Sequence, residues 1–195
     1  KWFGGVWGLV GLFRVLTVSG IGLLTLINGV QIQAQFMSLL IGAIVAFLFF
    51  NFGVFKQGKY KVFMGDAGSM LIGLTVIWLL TFLTQESHSA IRPVVALWLI
   101  AVPLMDMFSV IIRRTLSGQS PMQASRDHIH HILLSRVNSN FKTVTIIGII
   151  SVSFMLVGVL GEVFAIRESI MLLLFILAFF VFHCTMLHID KKHNR

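Results

Sequence analysis

Long apolar runs separated by short polar stretches make up almost the whole chain. A helix needs about 20 mostly apolar residues to cross roughly 30 Å of hydrocarbon, and several segments approach that length. The pattern predicts an all-α protein, a polytopic membrane helix bundle of about six transmembrane helices that forms one integral membrane domain over residues 1–195. The predicted spans cover residues 15–30, 36–55, 67–84, 93–112, 143–163 and 169–189.

The segment ahead of the first predicted span, residues 2–13, is apolar and rich in glycine. It could lie at the membrane interface, enter the bilayer and return, or extend the first span. A charged side chain at the centre of a bilayer costs roughly 2.5–3.5 kcal/mol. The first span is therefore expected to begin after Arg14.

Composition supports a membrane protein. The chain is 57% hydrophobic and only 11% charged, whereas soluble domains have about a quarter of their residues charged. Most of its surface is therefore not expected to meet water. Cys184 is the single cysteine, which excludes an internal disulfide and a cysteine metal cluster.

The basic residues indicate which way the helices run. The chain holds 15 Lys and Arg, and all except Arg92 and Arg167 fall on one side of the predicted spans. Membrane proteins concentrate Lys and Arg in cytoplasmic loops. The distribution therefore predicts that both termini and the loops at about 56–66 and 113–142 are cytoplasmic. It also explains the net charge of +8 without a nucleic-acid partner.

The first polar block, KYKVFMGDAGSMLIG, lies where the 56–66 loop enters the third predicted span. A helix N-terminus presents unpaired N–H groups and the positive end of the helix dipole, which suits anions. Gly65 and Gly68 would let a phosphate or a metal approach the backbone closely, and Ser69 could assist in capping the helix. Asp66 offers the hard oxygen ligand that Mg²⁺ prefers, or it merely caps the helix. The spacing leaves both interpretations open.

The second polar block, SRDHIHHILL, gathers His128, His130 and His131 into four positions of the 113–142 loop. On a continuous helix the first and third rings share a face while the second points away, so convergence of all three requires a loop or a helix start. Together with Arg114 and Arg126, the imidazoles suit phosphate oxygens. The alternative is a basic loop that touches anionic lipid headgroups.

Isolated polar residues within the spans are weaker candidates. Asp106, near the cytoplasmic end of the fourth span, either has a function or pairs with Arg113 or Arg114. Asn51 could line a substrate site or bond a neighbouring helix. His183 lies on an apolar face, where a structural role is expected.

Three blocks in this order, KVFMGDAGSMLIG, PLMDMFSVIIRR and RDHIHHILL, resemble the polyprenyl-phosphate N-acetylhexosamine-1-phosphate transferases. The similarity is greatest to the bacterial branch that acts on undecaprenyl phosphate and N-acetylglucosamine. It implies transfer of N-acetylglucosamine 1-phosphate from UDP-N-acetylglucosamine to undecaprenyl phosphate, with release of UMP. Such products begin O-antigen and enterobacterial common antigen chains, and the enzymes lie in the bacterial inner membrane with the active face in the cytoplasm.

The resemblance also implies roles for the two polar blocks. Asp66 would bind Mg²⁺ or Mn²⁺. The residues implied for catalysis on the diphosphate are His128, His130, His131 and Arg114. Those implied for substrate binding are Arg126, Gly65, Gly68, Ser69 and Asn51. The expected partners are the two substrates and the lipid bilayer, and a homodimer is compatible with the family.

The chain departs from the family pattern upstream of Asp66. The family carries further aspartates there, but this chain has no acidic residue before Asp66 and opens with KWFGGVWGLVGL. We therefore expect roughly the C-terminal half of such an enzyme, without part of its metal and nucleophile machinery. The alternatives are an inactive copy, or a transporter or metal-handling protein that uses the histidines. Transport is disfavoured because the polar residues lie at the cytoplasmic ends of the spans.

Overall fold

The computed structural model describes residues 3–51, 65–85, 91–120 and 128–191, with the backbone alone at 3–12, 51, 66, 190 and 191. Within these ranges the regular structure is entirely helical, which confirms the predicted all-α class. The helices are α1 (Phe3–Ile27), α2 (Gln31–Asn51), α3 (Gly65–Gln85), α4 (Pro93–Leu99), α5 (Ala101–Leu116), α6 (Ile129–Val137), α7 (Asn140–Val163) and α8 (Glu168–Lys191).

Four of these helices are long and apolar enough to cross a membrane, namely α2, α3, α7 and α8. The pair α4 and α5 passes the same test as one bent element, which gives up to five candidate spans in the described ranges. The described side chains of α1 form a shorter apolar segment, Phe13–Ile27. The chain is thus a polytopic helical membrane protein, as its apolar runs predicted.

Helix α1 begins ahead of the first predicted span. It starts at Phe3, so the glycine-rich opening segment extends the first helix and Arg14 lies inside it. This is one of the three possibilities that the sequence left open for the opening segment. The Arg14 Nη2 atom donates a hydrogen bond to the backbone oxygen of Ser69 at 2.7 Å. This contact with the first turns of α3 gives the guanidinium a polar partner inside the bundle.

The fourth predicted span is not continuous. Helices α4 and α5 meet at Ile100 and are bent by 81°. Pro103 lies three residues further on; it has no N–H to donate to the Leu99 carbonyl, and its ring crowds that oxygen. The Thr17 hydroxyl of α1 donates to the Leu99 oxygen at 3.2 Å instead. Pro103 is therefore a local signal of this break in the sequence.

The buried side chains form two clusters at different levels of the bundle. The larger core joins α1, α2, α3 and α4 to parts of α7 and α8, and Trp98 is packed within it against Phe154 and Phe175. The smaller core joins α5 and α6 to α7 and α8. Its buried members are Ala101, Val102, Met105, Ile129, Ile132, Ile147, Phe182 and Met186.

Polar contacts mark the two ends of the bundle. At one end, Arg92 at the start of α4 donates from Nε to Glu162 Oε2 at 2.9 Å and from Nη2 to the Gly161 oxygen at 2.6 Å. These contacts lie where α7 ends. At the other end, Arg136 of α6 donates to the Ile189 oxygen near the end of α8 at 2.8 Å. The histidine block therefore lies at the end opposite Arg92, as the charge pattern predicted.

The predicted loop at 113–142 contains more regular structure than expected. Helix α5 runs on to Leu116, α6 occupies Ile129–Val137, and α7 already begins at Asn140. Residue Asn138 adopts the left-handed conformation, with φ of 50°, and it ends α6. The short apolar face of α6 then packs into the smaller core through Ile129 and Ile132.

The close packing of α7 on α4 generates a stability prediction. A Cβ added at Gly158 would lie 2.7 Å from the Trp98 Cβ. We expect Gly158→Ala to destabilise the fold by about 1–3 kcal/mol, because one helix must move away. A Cβ at Gly73 on α3 meets no atom within 4 Å, so Gly73→Ala should be neutral or stabilising. Equilibrium unfolding in detergent checks both, and equal losses would contradict the packing argument.

Candidate functional site

The three histidines lie at the start of α6, where His128 precedes the helix and His130 and His131 are in its first turn. His128 has φ of −71° and ψ of 149°, the extended conformation of a residue that precedes a helix. Its carbonyl oxygen accepts from the backbone N–H groups of His131 at 2.9 Å and Ile132 at 3.2 Å. The chain therefore turns into a helix within the histidine block, which lies at the positive end of the α6 dipole.

The imidazole rings converge. The ring centroids of His128 and His130 are 5.9 Å apart, with an angle of 11° between the planes. Those of His130 and His131 are 4.1 Å apart. All three residues are half-buried. Convergence was predicted only for a loop or a helix start, and the helix start is confirmed.

A buried carboxylate on α5 holds this turn in place. Asp106 Oδ2 lies 2.9 Å from the Nδ1 atom of His128. Its Oδ1 accepts from the backbone N–H of Ile129 at 2.8 Å. The residue is 8% exposed. Asp106 thus forms a structural pair as considered from the sequence, but its partner is His128 and not Arg113 or Arg114.

The two arginines at the end of α5 make backbone contacts. Arg113 Nε donates to the Ser109 oxygen at 3.3 Å, and Arg114 Nη1 donates to the Ser120 oxygen at 3.2 Å. Both residues are buried. The Ser109 hydroxyl also lies 2.9 Å from His183 Nδ1, so this histidine has the expected structural role of linking α5 and α8.

The GDAGS block begins helix α3, as predicted. Gly65 is the first residue of the helix and has φ of 65°, a conformation that side chains disfavour. Gly68 and Ser69 follow in the first two turns and are half-buried. The Ser69 carbonyl accepts the hydrogen bond from Arg14.

Helix α1 places the two polar blocks at the same end of the bundle. Phe13 packs against the smaller core, to which Ile129 and Ile132 of α6 belong. The next residue, Arg14, bonds the first turns of α3 through Ser69. One turn of α1 therefore lies between the start of α3 and the region that supports the histidines.

Several predicted site residues lie outside the described part of the chain. These are Arg126 and the side chains of Asn51 and Asp66. Among the described residues, no group of three His, Cys, Asp or Glu side chains could hold a metal ion. Asp106 is the one carboxylate at this end whose side chain is described, and both its oxygens accept hydrogen bonds. The described donors alone do not fit a Mg²⁺ or Mn²⁺ site.

Comparison with known proteins supports the interpretation of the sequence blocks. Residues 3–84 match the model of Glycosyl transferase family 4. The undecaprenyl-phosphate alpha-N-acetylglucosaminyl 1-phosphate transferase of Escherichia coli K12 is 39% identical over 179 residues, covering 91% of this chain and 48% of the relative. The resemblance to this transferase family is confirmed.

Transferases of the same name from other bacteria are similar to the same extent. The transferase of Haemophilus influenzae is 38% identical over 173 residues, covering 89% of this chain and 49% of the relative. That of Salmonella typhimurium is 40% identical over 179 residues, covering 91% and 48%. The chain spans about half the length of these curated transferases. No solved structure matches the chain.

The crowding of the rings generates a prediction on pH. Burial, together with the charges of His131 and His128, lowers the pKa of His130 from 6.5 to about 4, against a smaller opposing effect of Asp106. An unfolded chain therefore binds this proton at a higher pH than the folded one. Stability should fall as the pH drops from 6.5 towards 4.

The measurement is the unfolding temperature as a function of pH, with unfolding monitored by the fluorescence of the 4 Trp residues. We expect the unfolding temperature of His130→Gln to fall less steeply with acidification than that of the unaltered chain. His188→Gln, at an exposed position on α8, is the matched control and should keep the original slope. A His130→Gln curve parallel to the unaltered chain would contradict the assignment.

Proposed function

We propose that this chain binds the diphosphate of UDP-N-acetylglucosamine in a transferase that moves N-acetylglucosamine 1-phosphate to undecaprenyl phosphate. The observation that carries the proposal is the convergence of three imidazoles at the start of α6, against the helix α5 that ends in two buried arginines. The similarity to transferases of that name supports the choice of substrates. The product would be the lipid diphospho-sugar that begins O-antigen and enterobacterial common antigen chains.

The reaction exchanges one phosphoanhydride for another. An oxygen of the lipid phosphate forms a bond to the β-phosphorus of the nucleotide sugar, while the bond from that phosphorus to the bridging oxygen breaks. UMP leaves with the bridging oxygen. Catalysis of such a transfer rests mainly on positioning the two phosphates and stabilising their charge. No side chain of the protein has to form a covalent intermediate.

The residues at the α6 end of the bundle suit this task. Arg114 supplies a permanent positive charge for phosphate oxygens. The imidazoles of His128, His130 and His131 can donate to phosphate oxygens or accept a proton from them. We propose that Arg126, which lies outside the described residues, adds a second guanidinium to this set.

The GDAGS block would complete the site from the start of α3. We propose that Asp66 binds Mg²⁺ or Mn²⁺, which would neutralise phosphate charge when bound. Gly65, Gly68 and Ser69 would give the nucleotide sugar access to the backbone, and Asn51 would contribute from the end of α2. The described donors alone do not form a metal site, so the roles of the histidines and arginines are argued without it.

An apolar groove beside the polar cluster suits the acceptor. It runs between α5 and α8 at the depth of Asp106, and its lining is entirely apolar. The lining includes Leu104, Phe108 and Ile112 of α5, with Phe175 and Phe179 of α8. We infer that part of the prenyl chain lies there, with its phosphate directed to the histidines at the cytoplasmic face of the inner membrane.

The proposal is tested first by binding and then by turnover. The purified chain in nanodiscs should bind UDP-N-acetylglucosamine, and His131→Ala or Arg114→Ala should weaken binding or turnover about 100-fold, because each removes a group that contacts phosphate. His188→Ala, at an exposed position on α8, is the control and should behave as the unaltered chain. Absence of binding to the unaltered chain would contradict the proposal.

Release of UMP is then measured after addition of undecaprenyl phosphate with Mg²⁺ or Mn²⁺. Turnover that is lost in Asp66→Asn supports a metal-binding role for this aspartate. Robust turnover by the chain would also refute the expectation that carboxylates upstream of Asp66 are needed. Binding without turnover supports the diphosphate site and agrees with that expectation.

A further inference from the structure

Asp106 performs two functions with one carboxylate. Its Oδ1 accepts from the Ile129 N–H at 2.8 Å, and its Oδ2 contacts His128 Nδ1 at 2.9 Å. Both partners belong to the turn that begins α6, while Asp106 lies on α5. The side chain is only 11% exposed, whereas that of His128 is 41% exposed. The carboxylate therefore lies behind the ring, on the side away from solvent.

The contact to Ile129 replaces a missing helix cap. The first backbone N–H groups of a helix lack partners within it, and a side chain of the residue before the helix usually accepts from one of them. That residue is His128, and its side chain makes no such bond. Asp106, 23 positions earlier in the chain, supplies the acceptor from a neighbouring helix. Its negative charge also faces the positive end of the α6 dipole.

The contact between Asp106 and His128 determines which tautomer the His128 ring adopts. An ionised carboxylate only accepts hydrogen bonds, so the Nδ1 atom must carry the proton that points to Asp106. In the neutral ring the other nitrogen, Nε2, is then unprotonated and is a proton acceptor. A hydrogen bond on one ring nitrogen is the usual means by which a protein fixes the role of the other.

We propose that Asp106 is a positioning residue, which fixes the start of α6 against α5 and holds His128 as the Nδ1–H tautomer. This inference deepens the proposed function and rests on it for the identity of the ligand. Nε2 of His128 is then directed to the phosphate end of the site. There it takes the proton from a monoprotonated lipid phosphate, and the oxygen that loses the proton becomes the attacking atom.

The variant Asp106→Asn separates this role from simple packing. Asparagine has nearly the same shape, and its oxygen still accepts from the Ile129 N–H. Its amide nitrogen only donates, so His128 Nδ1 must become the acceptor and the proton must move to Nε2. We expect the variant to fold with α6 in place but with the tautomer of His128 inverted.

The measurement is ¹⁵N NMR of the histidine-labelled full chain in nanodiscs, near pH 8, with the His128 signals assigned through His128→Gln. The matched control is Ser109→Ala. It removes the hydrogen bond between Ser109 and His183 on the buried side of α5 without touching α6. We expect this control to leave the Nδ1–H form of His128 unchanged.

Two results would overturn the inference. One is an Nε2–H tautomer of His128 in the unaltered chain, which needs no variant to fold. The other is an unchanged tautomer in a folded Asp106→Asn chain. If the tautomer inverts but neither UDP-N-acetylglucosamine binding nor turnover changes, positioning is supported and the role in the reaction is refuted. If the unaltered chain releases UMP, we expect kcat of the variant to fall at least about 100-fold.

Discussion

The candidate site depends on one buried carboxylate, that of Asp106, which accepts hydrogen bonds from two donors. Burying an ionised group costs several kcal/mol unless its hydrogen bonds are replaced. Asp106 regains one bond from the backbone of α6 and one from the ring of His128. Because both partners lie in the same turn, a single side chain of α5 sets where α6 begins and which way its first ring faces. The stacking of His130 on His128 and the close approach of His131 to His130 follow from that turn.

The direction of α5 depends in turn on the break between α4 and α5. This break is costly within a membrane because it leaves a backbone oxygen without its helical donor. A backbone oxygen without a donor is unfavourable in hydrocarbon, and Pro103 cannot supply one to Leu99. The Thr17 hydroxyl of α1 does so, which permits the 81° bend between α4 and α5. A straight helix from Pro93 to Leu116 would carry Asp106 elsewhere. The site therefore depends on a hydroxyl and a proline that contact no proposed substrate.

Local patterns in the sequence predicted most of the helices, whereas contacts between helices were not predictable from it. Apolar runs predicted α3, α7 and α8 to within three residues and α2 with a displacement of four to five residues. The charge pattern separated Arg92 from the histidine end. The bend was readable from Pro103. The pairing of Asp106 with His128 was not, because 22 positions separate them and no helical period relates them. It arises only when α5 and α6 pack in the smaller core.

Three clustered histidines are useful to a phosphate site because they are not all charged. Burial and the adjacent rings lower the pKa of His130 to about 4, so it is neutral near pH 7. Were all three rings cationic, their mutual repulsion would oppose the packing that brings the centroids of His130 and His131 within 4.1 Å. Permanent charge comes instead from arginines such as Arg114. The imidazoles then add directional donors and acceptors, and Asp106 determines which of these His128 provides.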